Sequence, residues 1–314
     1  MSKELEILGK HRIGVLAGGT SSEREISIKS GRAVFESLKE NGLNVDFIDI
    51  KEDNPEWLDR TDIDTAFIAL HGRFGEDGTV QRMLDEKNII YTGSDPEASY
   101  LALDKIASKK IFLKEGLRIP EYKVIPEASG PGSIEDIWIP CVVKPQHEGS
   151  SIGLSIVDSK DQLAEAIKNA SAYRGDVIVE RFIPGREITV GLIEGEALPV
   201  IEIIAANNCY DYNAKYLAKD TKYIVPAELD NGIAEKAQEI ALRAHNALGC
   251  EGFSRVDMRL ADSGDIYVLE VNTIPGLTER SLLPMAARAA GIDFFDLCVK
   301  VLYEAVNRNR IKGE

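Results

Sequence analysis

The 314-residue chain is 44% hydrophobic and 28% charged, a composition that suits about two domains, or three small ones, and excludes wholesale disorder. Its 37 basic and 52 acidic side chains leave a formal charge of −15, which repels phosphate backbones and anionic lipid and argues against nucleic acid or a membrane surface as partner. The longest apolar stretches, such as 197–206 with Glu202 inside it, are too short to span a bilayer, and Glu4 and Glu6 stand where a signal peptide would be basic, so a cytoplasmic location is expected.

In chain order, RIGVLA at 12–17 reads as a buried strand ended by Gly18 and Gly19. A helix follows, with Ser22 and Glu25 as a capping box and Ile26, Ala33, Val34 and Leu38 at helical spacing up to Asn41-Gly42. Strand-like VDFIDI (45–50) and TAFIAL (65–70), a glycine-rich loop at 71–78, a helix near 79–87 and a strand at IIYTG continue an alternation that predicts a parallel sheet with crossover helices. Gly14, Gly18 and Gly19 do not make a dinucleotide fingerprint, which disfavours NAD. SYLALDKIASKKIFLKEG predicts one helix ending at Gly116, and a domain boundary is expected near 104. YKVI, CVVKP, a Gly/Ser loop, LSIV, the helix DQLAEAIKNA and VIVERF predict a compact α+β unit. Beyond it come ITVGLI, the Glu194-Gly195 turn, LPVIEII, a polar insertion at 207–222, a helix near 230–248, a hairpin of SRVDMRL and DIYVLEV, and a C-terminal helix pair closing a third domain. The expected domains are 1–103, 104–187 and 188–314. Cys141, Cys209, Cys250 and Cys298 are scattered, without a CxxC pair, and reduced, mostly buried thiols are expected.

Several segments carry chemistry. Lys144-Pro145 opens into QHEGSSIG, whose Gly149, Ser150, Ser151 and Gly153 can bring backbone N–H groups to an anion, though an ordinary hairpin turn has the same composition. Arg255 and Asp257 share one strand face, as do Glu270 and Asn272 on the partner strand. If the hairpin pairs them, three oxygen ligands converge beside a guanidinium in a set suited to Mg2+, although alternating charges also occur on solvated sheets. Ser281 reads as the N-cap of a helix whose free N–H groups could hold a carboxylate near that strand. Glu180 and Glu187 flank a Pro-Gly hinge and could meet a nucleoside, and Lys215 could be a loop cation.

KPQHEGSSIG (144–153), RVDMR (255–259) and EVNTIPGLTERSL (270–282), with GGTSSEREIS (18–27), LHGRFGEDGT (70–79), LDKIASK (103–109) and YDYNAKY (210–216), resemble the D-alanine:D-alanine ligases of the ATP-grasp superfamily over about 12–305. The resemblance implies α/β and α+β structure in a three-domain ATP-grasp architecture with an N-terminal parallel-sheet domain. It implies ATP phosphates on Lys105, Lys144 and Lys215, with base and ribose contacts from Glu180, the backbone near Ile183, and Glu187. Two Mg2+ ions, replaceable by Mn2+, would lie on Asp257, Glu270 and Asn272. Glu23 would hold the ammonium of the first D-alanine, in a network with Ser150 and Tyr216. Arg255 and the N–H of Gly276 would form the oxyanion site, Ser281 and Leu282 would receive the second carboxylate, and His71 would line the pocket.

The implied reaction converts one D-alanine to its acyl phosphate, which the amine of the second attacks, for peptidoglycan precursor synthesis in cell-wall and cell-shape maintenance, in a homodimer. Lysines and Mg2+ then serve the phosphoryl step and Arg255 the tetrahedral one. Tyr216 goes with dipeptide synthesis; D-alanine:D-lactate and D-alanine:D-serine ligases are the alternative within the family, and a kinase or a nucleotide sensor the alternatives outside it. Cys209 and Arg259 depart from residues often seen in the family.

Overall fold

The computed structural model describes residues 3–129, 136–204 and 221–312. The first sheet is wholly parallel, in the order β2 (Val45–Ile50), β1 (Ile13–Gly18), β3 (Thr65–Ile68), β4 (Ile90–Tyr91). Every residue of β1 is buried, as both faces of a parallel sheet are covered. Helix α1 is Lys3–Leu8 and α2 is Arg24–Glu40, whose buried side is Ser27, Ser30, Gly31, Val34 and Leu38. A Cβ on Gly31 would stand 2.5 Å from that of Ala17, so the small residue lets α2 lie close on β1. The expected capping box is absent: Glu23, not Ser22, is the N-cap and makes no side-chain cap bond, because its carboxylate turns into the site described below.

Helix α3 (Thr79–Glu86) precedes β4, and the single helix expected to end at Gly116 is two, α4 (Pro96–Leu103) and α5 (Lys105–Lys114). Asp104 breaks them. Its extended backbone places Oδ1 on the N–H groups of Ile106 (2.9 Å) and Ala107 (3.0 Å), and Gln146 donates to the same oxygen at 2.9 Å. Burial would raise this carboxyl, but hydrogen bonds from His147, Gln146 and Ala107 hold it far below the ordinary range.

The second sheet is antiparallel, in the order β5 (Tyr122–Ile125), β8 (Val177–Arg181), β6 (Cys141–Pro145), β7 (Ser155–Val157), with α6 (Lys160–Ala170) on its small core. The chain crosses to the third sheet over 182–185, just before the expected boundary at 187. That sheet runs β12 (Lys222–Ile224), β11 (Ile201–Ile204), β9 (Arg186–Ile193), β13 (Phe253–Leu260), β14 (Ile266–Asn272), with β10 (Glu196–Ala197) joined to β9 through the Glu194-Gly195 turn, both residues at positive φ. Helix α7 (Asn231–Ala247) packs on it.

The C-terminal helices α8 (Leu282–Ala289) and α9 (Phe294–Lys312) do more than close the third domain. They share one core with the first sheet: Ile13, Val15 and Phe67 cluster with Leu283, Leu297 and Leu302. Each fully buried leucine there contributes about 2 kcal/mol of transfer free energy. Among the described residues no helix is long and apolar enough to cross a membrane, and Cys141, Cys250 and Cys298 are free and buried. Cys209 lies outside the described residues.

His245 of α7 is buried, its Nδ1 2.7 Å from the Ser254 hydroxyl, and burial pushes it down to about 4. The unfolded chain therefore takes up this proton near pH 6.5 and the folded protein only near 4, so stability is complete above 6.5 and declines as pH falls through that window. By pH 5 the loss from this residue is about 2 kcal/mol. His245→Asn should flatten the fall in denaturation midpoint between pH 7.5 and 5, and an unchanged slope would contradict this.

Candidate active site

The second and third sheets face each other across a cleft of about 880 Å³, part of it open to solvent. Lys105, Lys144, Glu180, Ile183, Glu187, Asp257 and Glu270, expected at a nucleotide and its metal, all line it. Lys105, the first residue of α5, donates to the carbonyl of Glu148 at 2.6 Å and lies 3.7 Å from the Glu270 carboxylate. It therefore ties the QHEGSSIG loop to β14. Lys144, on β6, lies 2.9 Å from Glu180 Oε1.

Glu180 has a partner that sequence reading missed. Lys109, quoted only as the end of LDKIASK, lies 2.7 Å from the same Oε1 and is wholly buried. Burial alone would raise the Glu180 carboxyl, but Lys109 and then Lys144 overrule it and hold it down at about 2. Arg259, noted in the sequence only as a departure from the family, has partners here too. It donates to the carbonyls of Ile183 (3.2 Å) and Gly185 (2.8 Å), pairs with Glu187 at 3.3 Å and lies over the Phe182 ring. It thus holds the segment joining the two sheets.

The hairpin pairs as its alternation predicts. Arg255 stands opposite Asn272 and Asp257 opposite Glu270, with a bulge after Asp257. Arg255 grips Asp257 with two 2.8 Å bonds, Nε to Oδ1 and a terminal nitrogen to Oδ2; Thr189 donates to Oδ1 at 2.6 Å and the Asn272 amide to Oδ2 at 3.1 Å. The oxygen donors the hairpin brings together are the Asp257 and Glu270 carboxylates and the Asn272 amide; among the described residues no three His, Cys, Asp or Glu side chains cluster as a metal site. Hard oxygen donors on neighbouring strands, with positions left for water and phosphate, fit Mg2+.

Beside the cleft, where a second cavity lined by Glu23 shares Glu148 with it, Ser150 donates to the Glu23 carboxylate, joining the loop after β6 to the N-cap of α2. Ser150 and Ser151 both have positive φ (50° and 57°), a conformation costing about 1 kcal/mol or more for a residue other than glycine, so the loop is held by its partners. Gly72, at φ +74°, leaves room for Glu23: a Cβ there would be 2.9 Å from Oε2. Glu76 of LHGRFGEDGT is a second residue missed in the sequence. It is half-buried, 4.0 Å from His71, and desolvation, then Glu23, push its carboxyl well above the ordinary range.

His71 is a brace. Its Nδ1 lies 3.0 Å from the Ile274 carbonyl and its Nε2 3.0 Å from the Ser30 hydroxyl, to which Leu277 N–H donates at 3.3 Å. A carbonyl only accepts, so Nδ1 carries the proton and the Ser30 hydroxyl donates to Nε2. Burial lowers the pKa of the ring, in keeping with this neutral form. The NTIPGLTE loop is thereby fastened to the first sheet.

Ser281 occupies the N-cap position of α8 but does not cap it. Its hydroxyl turns back to Thr278, accepting from the N–H at 3.0 Å and pairing with Oγ1 at 2.8 Å. Gly276 lies against it, and Leu282 is buried at the helix start. Lys215 and Tyr216 lie outside the described residues.

These sheets and the cleft between two of them form an ATP-grasp fold. The family model described as "D-ala D-ala ligase C-terminus" matches residues 113–303, and "D-ala D-ala ligase N-terminus" matches 12–62 and 58–94. A D-alanine--D-alanine ligase of Anaeromyxobacter dehalogenans (strain 2CP-C) is 45% identical over 294 residues, 93% of this chain and 96% of the relative. The crystal structure of the Bacillus anthracis D-alanine--D-alanine ligase complexed with ATP is 34% identical and superposes with a TM-score of 0.83, covering 96% of this chain and 100% of that one. VanG D-Ala:D-Ser ligase of Enterococcus faecalis is 31% identical, with a TM-score of 0.80 over 93% and 98% of the two chains. The chain belongs to the D-alanine–D-alanine ligase family.

Proposed function

We propose that this chain uses ATP to join two D-alanines to D-alanyl-D-alanine, releasing ADP and phosphate, in peptidoglycan precursor synthesis. The observation that carries the reading is the Glu23–Ser150 hydrogen bond, which holds a carboxylate fit for an ammonium beside a cleft whose lysines suit phosphates. In this reading the base of ATP lies toward Glu180, the Ile183 backbone and Glu187, and its phosphates toward Lys105, Lys144 and Lys215. Glu23, within a network of Ser150 and Tyr216, orients the first D-alanine so that its carboxylate attacks the γ-phosphorus, forming an acyl phosphate and ADP. The second amine then attacks that carbonyl. Arg255 and the N–H of Gly276 meet the oxyanion, and Ser281 and Leu282, at the start of α8, receive the second carboxylate. His71 serves by fixing the loop that carries Gly276.

Asp257, Glu270 and Asn272 would hold Mg2+, in up to two ions, which when bound neutralises phosphate charge. A cytoplasmic homodimer belongs to the same reading.

Mass spectrometry of the products tests it. ATP, Mg2+ and D-alanine should yield ADP and dipeptide in equal amounts, L-alanine should react poorly, and equimolar D-lactate or D-serine should leave the D-alanyl-D-alanine product predominant. ADP without dipeptide, or comparable mixed products, would overturn the assignment.

A further inference from the structure

Lys109 is a lysine with 0% exposure, in a protein where an ammonium so buried is costly unless a charge meets it. It meets two neighbours, the Glu180 carboxylate at 2.7 Å and the Tyr122 ring, whose centroid is 5.7 Å away. Tyr122 and Glu180 are register partners across β5 and β8, so helix, edge strand and inner strand converge on one carboxylate. Both ion pairs of Glu180, from Lys109 and from Lys144, are made to Oε1, while the residue lines the cleft. A carboxylate held by two ammonium groups stays ionised and can only accept hydrogen bonds.

We propose that Lys109 is a positioning residue for base selection: with Lys144 it pins Oε1 of Glu180, so that Oε2 is presented to the 6-position of a purine as a fixed acceptor, favouring a 6-amino over a 6-oxo base. The inference rests on the reading that the cleft takes ATP. A 6-amino group donates to such an acceptor. A 6-oxo group meets it with a second acceptor, and both are left unpaired in a desolvated site. Without Lys109, Glu180 is free to turn both oxygens onto Lys144 and away from the base.

The test measures ADP or IDP release by the full chain with D-alanine and either ATP or inosine triphosphate, whose base differs at the 6-position. Lys109→Met should lower the ATP-to-ITP ratio of kcat/KM at least tenfold, mostly through a higher KM for ATP. A purely structural role would lower both activities together, and an unchanged ratio overturns the proposal. If Lys109 acts through Glu180, the double variant Lys109→Met/Glu180→Gln should match Glu180→Gln alone within twofold in that ratio. This pair also decides the matter should Lys109→Met fail to fold, since the double variant buries no lone carboxylate; a further shift in the double variant overturns the proposal. Parent protein indifferent to the two bases would overturn this inference alone, whereas no turnover with either nucleotide would remove the underlying function with it.

Discussion

Glu270→Gln is expected to reduce turnover by about a thousandfold or more, equivalent to about 4 kcal/mol of transition-state stabilisation, in a protein that still folds. Glutamine keeps the shape of the side chain and one oxygen donor but removes a full charge beside Asp257, the register partner of Glu270. Asp257 already serves Arg255, Thr189 and Asn272, and in the proposed reading Glu270, 3.7 Å from Lys105, carries the larger share of the contact with a divalent cation. The side chain is 21% exposed, so the stability change should be small beside the kinetic one. Steady-state kinetics with a Mg2+ titration and a thermal melt check both halves. Activity within tenfold of the parent at saturating Mg2+ would remove Glu270 from the metal set.

Arg255→Met should damage both stability and catalysis. The Asp257 carboxylate is buried and held by the Arg255 fork, and withdrawing one partner of a buried pair costs about 3–5 kcal/mol. If Arg255 serves the oxyanion as proposed, its loss lowers kcat by a further factor of about 10²–10³. Combining Arg255→Met with Asp257→Asn should restore much of the melting temperature, because no lone charge stays buried, while leaving the enzyme inactive. Recovery of activity along with stability would remove Arg255 from the oxyanion site and the Asp257 carboxylate from the metal set together.

Much of the site was legible because it sits on local, periodic structure. Alternation in RVDMRL and IYVLEVN puts Arg255, Asp257, Glu270 and Asn272 on one face, and the Ser263-Gly264 turn sets their pairing; the structure departs from a plain ladder only in the bulge after Asp257. The parallel N-terminal sheet follows from strand and helix alternating along the chain. Ser22 and Glu25 misled for a related reason: a capping box is a local pattern, and here a distant partner, Ser150, draws Glu23 into the cap position and its carboxylate into the site.

The sequence by itself determined the strand and helix periods, the hairpin that aligns the acidic donors, and, through its motifs, the family. Tertiary structure alone decided what those elements meet. Asp104 looks like an interior helix residue until Gln146 reaches it across 42 positions, and Lys109 looks like one more polar helix residue until Glu180 of β8 receives it. His71 finds Ile274 at a separation of 203 residues, and α9 returns to the first sheet from the far end of the chain. A periodic pattern states which face of an element is apolar, but a buried charge or a brace between loops depends on a partner supplied by another segment. Only packing brings that partner within hydrogen-bond reach.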